Sequence, residues 1–248
     1  MLDVIVMAGG KGKRLKAGCP KAIVRVGNKL LYEYVLGEAL KLPHLARIFL
    51  VAPRGDYRIR VPDTVTIVPT VGTYLGDVFG VLAVSQQEEA LIVNADGVLL
   101  TTEHLATFLN KARTIPGGLV WPVVKKHDLW PEVQATPVSS FVGNHSYTQG
   151  NAALVHPREI RPNPALLEAV CRQPALREIL TFGTMNCLRA LFGKLPLDEV
   201  ASLMSAKLNC QVAIRPFSMP ELGFDIDYPI HLQVAQELLK RQGRLTLP

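Results

Sequence analysis

The sequence predicts an α/β fold in which helices cover both faces of a mostly parallel β-sheet. In the first half of the chain, short and wholly apolar segments alternate with longer segments whose apolar residues recur at helical spacing. Strands that are apolar on both sides are typical of parallel sheets, because helices bury both of their faces. The chain has 248 residues, of which 48% are hydrophobic and 19% charged, as expected for a globular protein with a sizeable core.

The first half of the chain contains the clearest alternation. Strands are predicted at residues 2–7, 47–52, 65–69 and 90–94. Helices are predicted at residues 29–42, 75–87 and 102–112. This order predicts a doubly wound arrangement, in which each helix returns the chain to the next parallel strand.

After residue 115 the pattern changes. Extended segments are predicted at residues 117–126 and 132–143, with a short strand at 151–156. A helical segment follows at about 164–209, then a strand at 211–217 and an amphipathic helix at 229–243. We interpret the chain as one domain, residues 1–248, which carries a helical insertion in its second half.

Composition excludes several classes of protein. No apolar run approaches the roughly 18 residues that cross a bilayer, and Asp3 near the start argues against a signal peptide. The four cysteines lie far apart without a CxxC pair, which argues against a zinc site or a disulfide framework. We therefore expect a cytoplasmic protein with no membrane partner.

The charge balance points to acidic ligands. The net charge is +6 and the pI is about 9.2. The sequence has no long lysine run and no basic stripe studded with aromatic residues, so nucleic acid is not the expected partner. Small phosphorylated molecules fit the charge better.

The turn that follows the first predicted strand is a candidate anion site. The segment VIVMAGGKGKRLKAGCPK (residues 4–21) runs from an apolar strand into glycines, surrounded by five cations. Glycines allow a close approach of the backbone to a phosphate, so that successive N–H groups converge on it. The cations are Lys11, Lys13, Arg14, Lys16 and Lys21.

Two well-known phosphate-binding motifs match this turn poorly. A Walker A loop requires Ser or Thr after Gly-Lys, but Arg14 stands there. The dinucleotide motif GxGxxG matches Gly10 and Gly12, but Leu15 replaces its third glycine. An NAD(P)-binding oxidoreductase stays open as an alternative, because Arg54 and Asp56 follow the second strand where such enzymes read the ribose.

The order of turn, arginine and Pro-Lys resembles the A-G-G-x-G-x-R-x…P-K signature of the MobA-like NTP transferases. The resemblance implies a Rossmann-like, three-layer α/β/α fold of the GT-A-like type. It also implies that the turn wraps the triphosphate of an NTP, that Arg14 neutralises it, and that Lys21 reaches the phosphates near the reacting phosphorus. The implied nucleotide-binding residues of the turn are Ala8, Gly9, Gly10 and Gly12.

Two acids are candidate ligands for Mg²⁺, the usual metal in nucleotidyl transfer. Asp96 follows the predicted strand 90–94, and its segment resembles the family's G-D-x-P-L-L motif. Asp227 lies in GFDIDYPIHLQVA (residues 223–235), which resembles the family's D-I-D-T-P-E-D-L element and also contains Asp225. Asp227 could instead only cap the last helix, where an acid is favoured.

Two further groups of residues stand where relatives contact their substrates. Gly72, Gly76 and Asp77 are candidates for the nucleobase site or for the entry to a helix. Gly150 and Asn151 resemble a step that contacts the acceptor in relatives, and they could equally be turn residues.

The resemblance implies a Mg²⁺-dependent nucleotidyltransferase. It would transfer NMP from an NTP, with GTP or CTP favoured, to a small phosphorylated acceptor and release pyrophosphate. Residues 1–115 would form the nucleotide-binding half and residues 116–248 the acceptor-binding half. The acceptor, which includes molybdopterin among its candidates, stays open, as does the oligomeric state. A non-catalytic nucleotide-binding module would keep Arg14 and Lys21 but lack the metal-binding acids.

Overall fold

The computed structural model describes residues 1–55, 58–141, 144–160 and 195–245. Its strands are β1 (Leu2–Met7), β2 (Arg25–Val26), β3 (Lys29–Leu30), β4 (Leu45–Ala52), β5 (Val65–Pro69), β6 (Glu89–Asn94), β7 (Leu119–Lys125), β8 (Tyr147–Gln149), β9 (Ala152–Val155) and β10 (Val212–Pro216). Its helices are α1 (Leu31–Ala39), α2 (Tyr74–Leu82), α3 (Thr102–Ala112), α4 (Pro131–Gln134), α5 (Leu197–Leu208) and α6 (Pro229–Arg241). Among these helices, none combines the length and apolar character needed to span a membrane.

Eight of the described strands form one mostly parallel sheet, which confirms the predicted fold class, and β2 and β3 form a separate two-stranded sheet. Within the described residues the order is β10-β7-β9-β6-β1-β4-β5, and β8 pairs with β7. β1 lies between β4 and β6 and runs parallel to both, and β5 runs parallel to β4. β9 is antiparallel to its neighbours β6 and β7, whereas β10 is parallel to β7.

Helices cover the sheet on both faces because its central strands are apolar on both sides. In β1, Val4 and Val6 pack into the core that includes α1 and α3. Ile5 and Met7 point the other way, into the core that includes α2 and α5. The result is the three-layer arrangement that the family resemblance implied, with β1 buried along its whole length.

Asp3 is an ionisable residue inside β1, and it is fully buried. Its carboxylate accepts hydrogen bonds from Arg47 Nη2 at 2.7 Å and from Ser85 Oγ at 2.8 Å. These partners replace the water that the carboxylate loses on folding, so the strand tolerates the charge.

Several predicted boundaries were wrong. The first helix was predicted from residue 29, but Lys29–Leu30 pairs with Arg25–Val26 in a short hairpin, so α1 begins at Leu31. Residues 132–143 were predicted to be extended, yet a short helix occupies Pro131–Gln134, with proline at a position that suits helix starts. Most of the helical insertion predicted at about 164–209, namely residues 164–194, lies outside the described residues, and its C-terminal part forms α5.

The carboxyl ends of the parallel strands meet at one edge of the sheet. The loops after β1, β5 and β6 all begin there, and the backbone N–H of Ala95 donates to the carbonyl of Met7 at 3.0 Å. The segment before α6 reaches the same edge, where Asn151 N–H donates to the carbonyl of Leu222 at 2.7 Å. Ligands of open α/β sheets bind at this edge.

Candidate functional site

The turn after β1 folds back over Lys21, and its glycines are needed for that close approach. Lys21 N–H donates to the carbonyl of Gly10 at 3.0 Å. Gly12 has a φ of +60°, and a Cβ placed there would lie 3.1 Å from Lys21 Cβ. A Cβ on Gly9 would lie only 2.8 Å from Thr70 Oγ1 in the loop after β5. Side chains at these positions would force the two loops apart.

A cleft of about 540 Å³ lies against this turn. Its walls combine the backbone of Gly9–Gly12 with three lysines, and Pro53 and Thr70 close the side near β4 and β5. The lysines are Lys11, Lys13 and Lys16. A lining of glycine backbone and ammonium groups suits a polyphosphate.

Lys21 lies between two aspartates contributed by distant parts of the chain. Its Nζ donates hydrogen bonds to Asp96 Oδ2 and to Asp227 Oδ1, the latter at 2.5 Å. Burial alone would lower the pKa of Lys21, but the carboxylates of Asp96, Asp225 and Asp227 outweigh it and raise the pKa above its usual value. Lys21 is therefore a charged ammonium group at neutral pH.

Three carboxylates converge around this ammonium group. Asp96, Asp225 and Asp227 each place an oxygen within 4.8 Å of the others. Burial, and then the charges of Asp96 and Asp227, raise the pKa of Asp225 to about 7. Burial would also raise the pKa of Asp227, but Lys21 and Arg14, whose Nη1 lies 3.1 Å from Asp227 Oδ2, lower it overall.

These three aspartates fit a divalent cation. The Oδ1 atom of Asp96 is buried and accepts no hydrogen bond from the described residues. A buried carboxylate oxygen without a partner is costly, and a hard cation such as Mg²⁺ would satisfy it and offset the repulsion among the acids. Asp96 and Asp227 were expected as ligands from the sequence, and Asp225 joins them in space.

Asp227 does not cap the last helix through its side chain. Helix α6 begins at Pro229 after Tyr228, and the Asp227 carboxylate contacts Lys21 and Arg14 instead. The backbone N–H of Asp227 donates to Nδ1 of the buried His231 at 3.0 Å. Burial lowers the pKa of His231, which keeps the ring neutral and able to accept this bond.

The sequence patterns did not identify Asp225 as a candidate ligand or His231 as a neighbour of the candidate site. Alternation could have identified Asp225, because residues two apart in an extended segment share a face, and Ile226 between the two acids is fully buried. His231 is the third residue of α6, where glutamate or glutamine often accepts a bond from the preceding backbone.

The structure places the candidate nucleobase residues beside the turn. Asp77, in the first turn of α2, accepts hydrogen bonds from Thr70 Oγ1 and from Val71 N–H, both at 2.6 Å. Its buried carboxylate thereby orders the loop that contains Gly72, whose φ is +90°. Gly76 lies in the first turn of the same helix. Contact of these residues with a base stays a prediction.

Gly150 and Asn151 lie between β8 and β9, close to the acids. A Cβ on Gly150 would lie 2.6 Å from Pro122 Cγ, so only glycine fits there. The buried Asn151 side chain accepts from Asn94 Nδ2 at 3.1 Å and donates to the carbonyl of Phe224 at 3.0 Å. It therefore joins the end of β6 to the segment that carries Asp225 and Asp227. Their contact with an acceptor stays a prediction.

The alternative of an NAD(P)-binding oxidoreductase depends on residues that follow β4 and would contact the ribose. A dinucleotide-binding enzyme would have an acid at this place, and the candidate, Asp56, lies outside the described residues. The neighbouring Arg54 lies in a turn after β4.

Comparison with solved structures supports the fold. A hypothetical transferase from Thermus thermophilus is 26% identical, has a TM-score of 0.71, and is matched over 93% of this chain and 98% of its own. The 2-C-methyl-D-erythritol 4-phosphate cytidylyltransferase of Francisella tularensis shares the fold at 13% identity, with a TM-score of 0.60 over 96% of this chain and 99% of its own.

Comparison of sequences identifies the family. The 2-C-methyl-D-erythritol 4-phosphate cytidylyltransferase of Salmonella arizonae is 31% identical over 133 residues, which are 50% of this chain and 56% of that protein. The chain thus spans about half the length of the curated relatives it matches. The profile of the MobA-like NTP transferase domain matches residues 4–199, most of the chain. The chain therefore belongs to the MobA-like NTP transferase domain family.

Proposed function

We propose that this protein is a Mg²⁺-dependent nucleotidyltransferase. It transfers a nucleoside monophosphate from an NTP to a small phosphorylated acceptor and releases pyrophosphate. The observation that carries the proposal is the convergence of Arg14, Lys21 and three aspartates beside the glycine turn. Membership of the family supports it, since a polyphosphate site and a metal site are what an NTP transferase requires.

The site's own residues divide the work between binding and charge stabilisation. The glycine turn and its lysines hold the β- and γ-phosphates, and Arg14 and Lys21 reach the α-phosphate. Asp96, Asp225 and Asp227 would hold Mg²⁺. When bound, Mg²⁺ neutralises charge on the attacked phosphate and its leaving group.

The reaction needs one displacement at phosphorus. An oxygen of the acceptor phosphate forms a bond to the α-phosphorus, and the bond from that phosphorus to the α,β-bridging oxygen breaks. The electron pair leaves with pyrophosphate, so no residue of the chain is modified. A phosphate nucleophile is already ionised at neutral pH, so the site needs no general base, and positioning supplies most of the rate.

CTP is the first nucleotide to test, because the named relatives are cytidylyltransferases. GTP follows, since the turn resembles that of guanylyltransferases in the same family. The acceptor named in those relatives, 2-C-methyl-D-erythritol 4-phosphate, is the first acceptor to test, and molybdopterin is the second.

The proposal is tested by thermal unfolding against ATP, GTP, CTP, UTP, NAD and NADP, each with and without Mg²⁺. A ligand at a hundredfold above its Kd stabilises the native state by about 2.7 kcal/mol. We expect a Mg²⁺-dependent rise in Tm with one NTP, which Lys21→Ala removes. A rise with NAD or NADP and none with any NTP would overturn the proposal in favour of a dinucleotide-binding enzyme.

A further inference from the structure

A second cavity, of about 400 Å³, lies on the α2 and α5 face of the sheet. It shares no lining residue with the cleft at the glycine turn. Its volume falls in the range of small-molecule sites, roughly 300–1,000 Å³. Its walls are mainly apolar, and they include Val78, Ile92, Trp121, Phe141, Val200 and Met204.

One end of this cavity is polar. Asn94, Gln149 and Asn151 line it there, and Tyr74 contributes its hydroxyl, which donates to Asn94 Oδ1 at 3.1 Å. The side chain of Asn94 in turn donates to Asn151 Oδ1 at 3.1 Å. Among the described residues, these hydrogen-bonded polar side chains lie together, and most of the other lining side chains are apolar.

The polar end adjoins the aspartates. Asn94 precedes Asp96 by two residues, at the carboxyl end of β6. Asn151 Cβ lies 3.1 Å from the Cβ position of Gly97, which directly follows Asp96. Asn151 also donates to the carbonyl of Phe224, the residue before Asp225. The polar end of the cavity therefore lies within a few residues of the candidate metal ligands.

We propose that this cavity receives an apolar group of the phosphorylated acceptor. The acceptor is then a phosphate monoester with an alkyl, alkenyl or other apolar body, and the polyol phosphate named in the cytidylyltransferase relatives should bind more weakly than such a monoester. A hydroxyl group placed against the apolar walls would lose its hydrogen bonds to water and gain none in return, which weakens binding. A polyol has several hydroxyl groups, so this loss of binding free energy would occur several times. The inference rests on the proposed function, because it assigns the substrate class of the same site.

Tryptophan fluorescence provides a direct measurement. Trp121 lines the cavity, whereas Trp130 packs in the core on the opposite face of the sheet. In a Trp130→Phe variant the emission reports on Trp121 alone. This variant is titrated with monoalkyl phosphates from methyl to octyl, and with glycerol and erythritol phosphates, in Mg²⁺ with and without CTP or GTP.

We expect Trp121 emission to change and the affinity to rise with chain length. Burial of each methylene contributes about 0.8 kcal/mol, which corresponds to roughly fourfold tighter binding per carbon until the cavity is full. Polyol phosphates should bind more weakly than alkyl phosphates of equal length. Affinity that is independent of chain length, or tighter binding of the polyol phosphates, would overturn the inference.

A filling variant localises the effect. Ala153 lines the cavity, and Ala153→Phe should abolish the dependence on chain length. The matched control is Ala106→Phe on α3, which packs against the core of the other face and should keep that dependence. If Ala153→Phe binds the alkyl series as the parent does, the inference fails. If it does not fold, the chain-length series in Trp130→Phe decides alone.

The outcomes separate the inference from the proposed function. A Mg²⁺-dependent shift with an NTP, together with no preference for alkyl phosphates, refutes the apolar acceptor and leaves the transferase intact. Absence of any NTP shift refutes the transferase itself, whatever the cavity binds.

Discussion

Lys21 and Asp227 lie 206 positions apart in the sequence, yet Nζ of Lys21 donates a hydrogen bond to Oδ1 of Asp227 at 2.5 Å. This contact joins the turn after the first strand to the segment that leads into the last helix. The site therefore forms only when both ends of the chain have folded onto the same edge of the sheet. Substitutions of these residues and of their neighbours can measure what each one contributes to turnover, to Mg²⁺ binding and to stability.

Lys21→Ala should lower turnover by a factor of roughly 10² to 10³, the scale of one lost transition-state donor. The reason is that Lys21 is a half-buried cation that forms ion pairs with Asp96 and Asp227 beside the turn. Pyrophosphate release at saturating substrate measures the change. Lys240→Ala, at an exposed position of α6, is the control and should keep full turnover. Equal rates for the two variants would remove Lys21 from catalysis.

Asp225→Asn should weaken Mg²⁺ binding and also stabilise the metal-free protein. The pKa of Asp225 is raised, which means that its ionised form is unfavourable in the folded state, and the neutral amide removes that cost. Magnesium titration by calorimetry and Tm without metal measure the two effects. Asp63→Asn, at an exposed position, should alter neither. A Mg²⁺ affinity equal to that of the parent would exclude Asp225 as a ligand.

His231→Ala should weaken Mg²⁺ binding by roughly 10- to 100-fold, because the ring holds the backbone of Asp227 in place. His104 makes a similar contact at the start of α3, where its Nδ1 accepts from Thr101 N–H at 3.3 Å. His104→Ala should therefore lose about 1 kcal/mol of stability, as His231→Ala does, but keep its Mg²⁺ affinity.

The comparison of the two histidines separates positioning from helix capping. His231→Gln retains an acceptor at the same helix position and should recover much of the Mg²⁺ affinity. Equal Mg²⁺ affinities for His231→Ala and His104→Ala would mean that His231 serves the helix alone.

Gly9→Ala should weaken nucleotide binding and lower Tm, because its Cβ would lie 2.8 Å from Thr70 Oγ1 and displace one loop from the other. Gly37→Ala in α1 is the matched control, since no atom lies within 4 Å of its Cβ position. That substitution should raise stability by about 0.5–1 kcal/mol and leave nucleotide binding unchanged. If Gly9→Ala bound CTP or GTP like the parent, the close approach of the two loops would be dispensable.

Glu89→Gln should destabilise the protein at pH 7 but not at strongly acidic pH. The hydrogen bond from Arg113, whose Nη2 lies 2.6 Å from Glu89 Oε2, lowers the pKa of Glu89 in the folded state despite partial burial. An acid with a lowered folded-state pKa contributes stability above its unfolded value, and this contribution disappears as the pH falls through the folded value.

Urea unfolding of the parent and of the Glu89→Gln variant from pH 7 to pH 3 measures this difference. The difference in the free energy of unfolding between the parent and the variant should be constant near neutral pH. It should disappear below about pH 4.5, the ordinary pKa range of a glutamate. A gap that persisted unchanged to pH 3 would assign the stabilisation to packing rather than charge.

Local patterns predicted much of the fold and singled out part of the candidate site. β1, β5 and α3 lie where the sequence predicted them, because their apolar spacing has no competing interpretation. The turn residues and Asp96 follow directly from motifs at the ends of strands. These features depend on neighbours in the sequence, so the sequence alone can reveal them.

The rest depends on contacts between distant residues. The late start of α1 follows from pairing of Lys29–Leu30 with the preceding strand, and helical spacing does not encode that pairing. Alternation places Asp225 on the same face as Asp227, but the approach of both acids to Asp96 depends on the assembled sheet. The sequence made Asn151 a candidate for contact with the acceptor. Its hydrogen bonds to Asn94 and Phe224 become visible only in the assembled sheet, because these partners are distant in the sequence.

The ammonium of Lys21 has a thermodynamic consequence for how ligands enter. Without metal it acts as an internal counter-ion for the three aspartates, so Mg²⁺ on its own must compete with a cation that never leaves the chain. A triphosphate offers Lys21 a new partner and frees the carboxylates for the metal. Metal and nucleotide should thus bind with positive cooperativity, each tightening the other by the same factor.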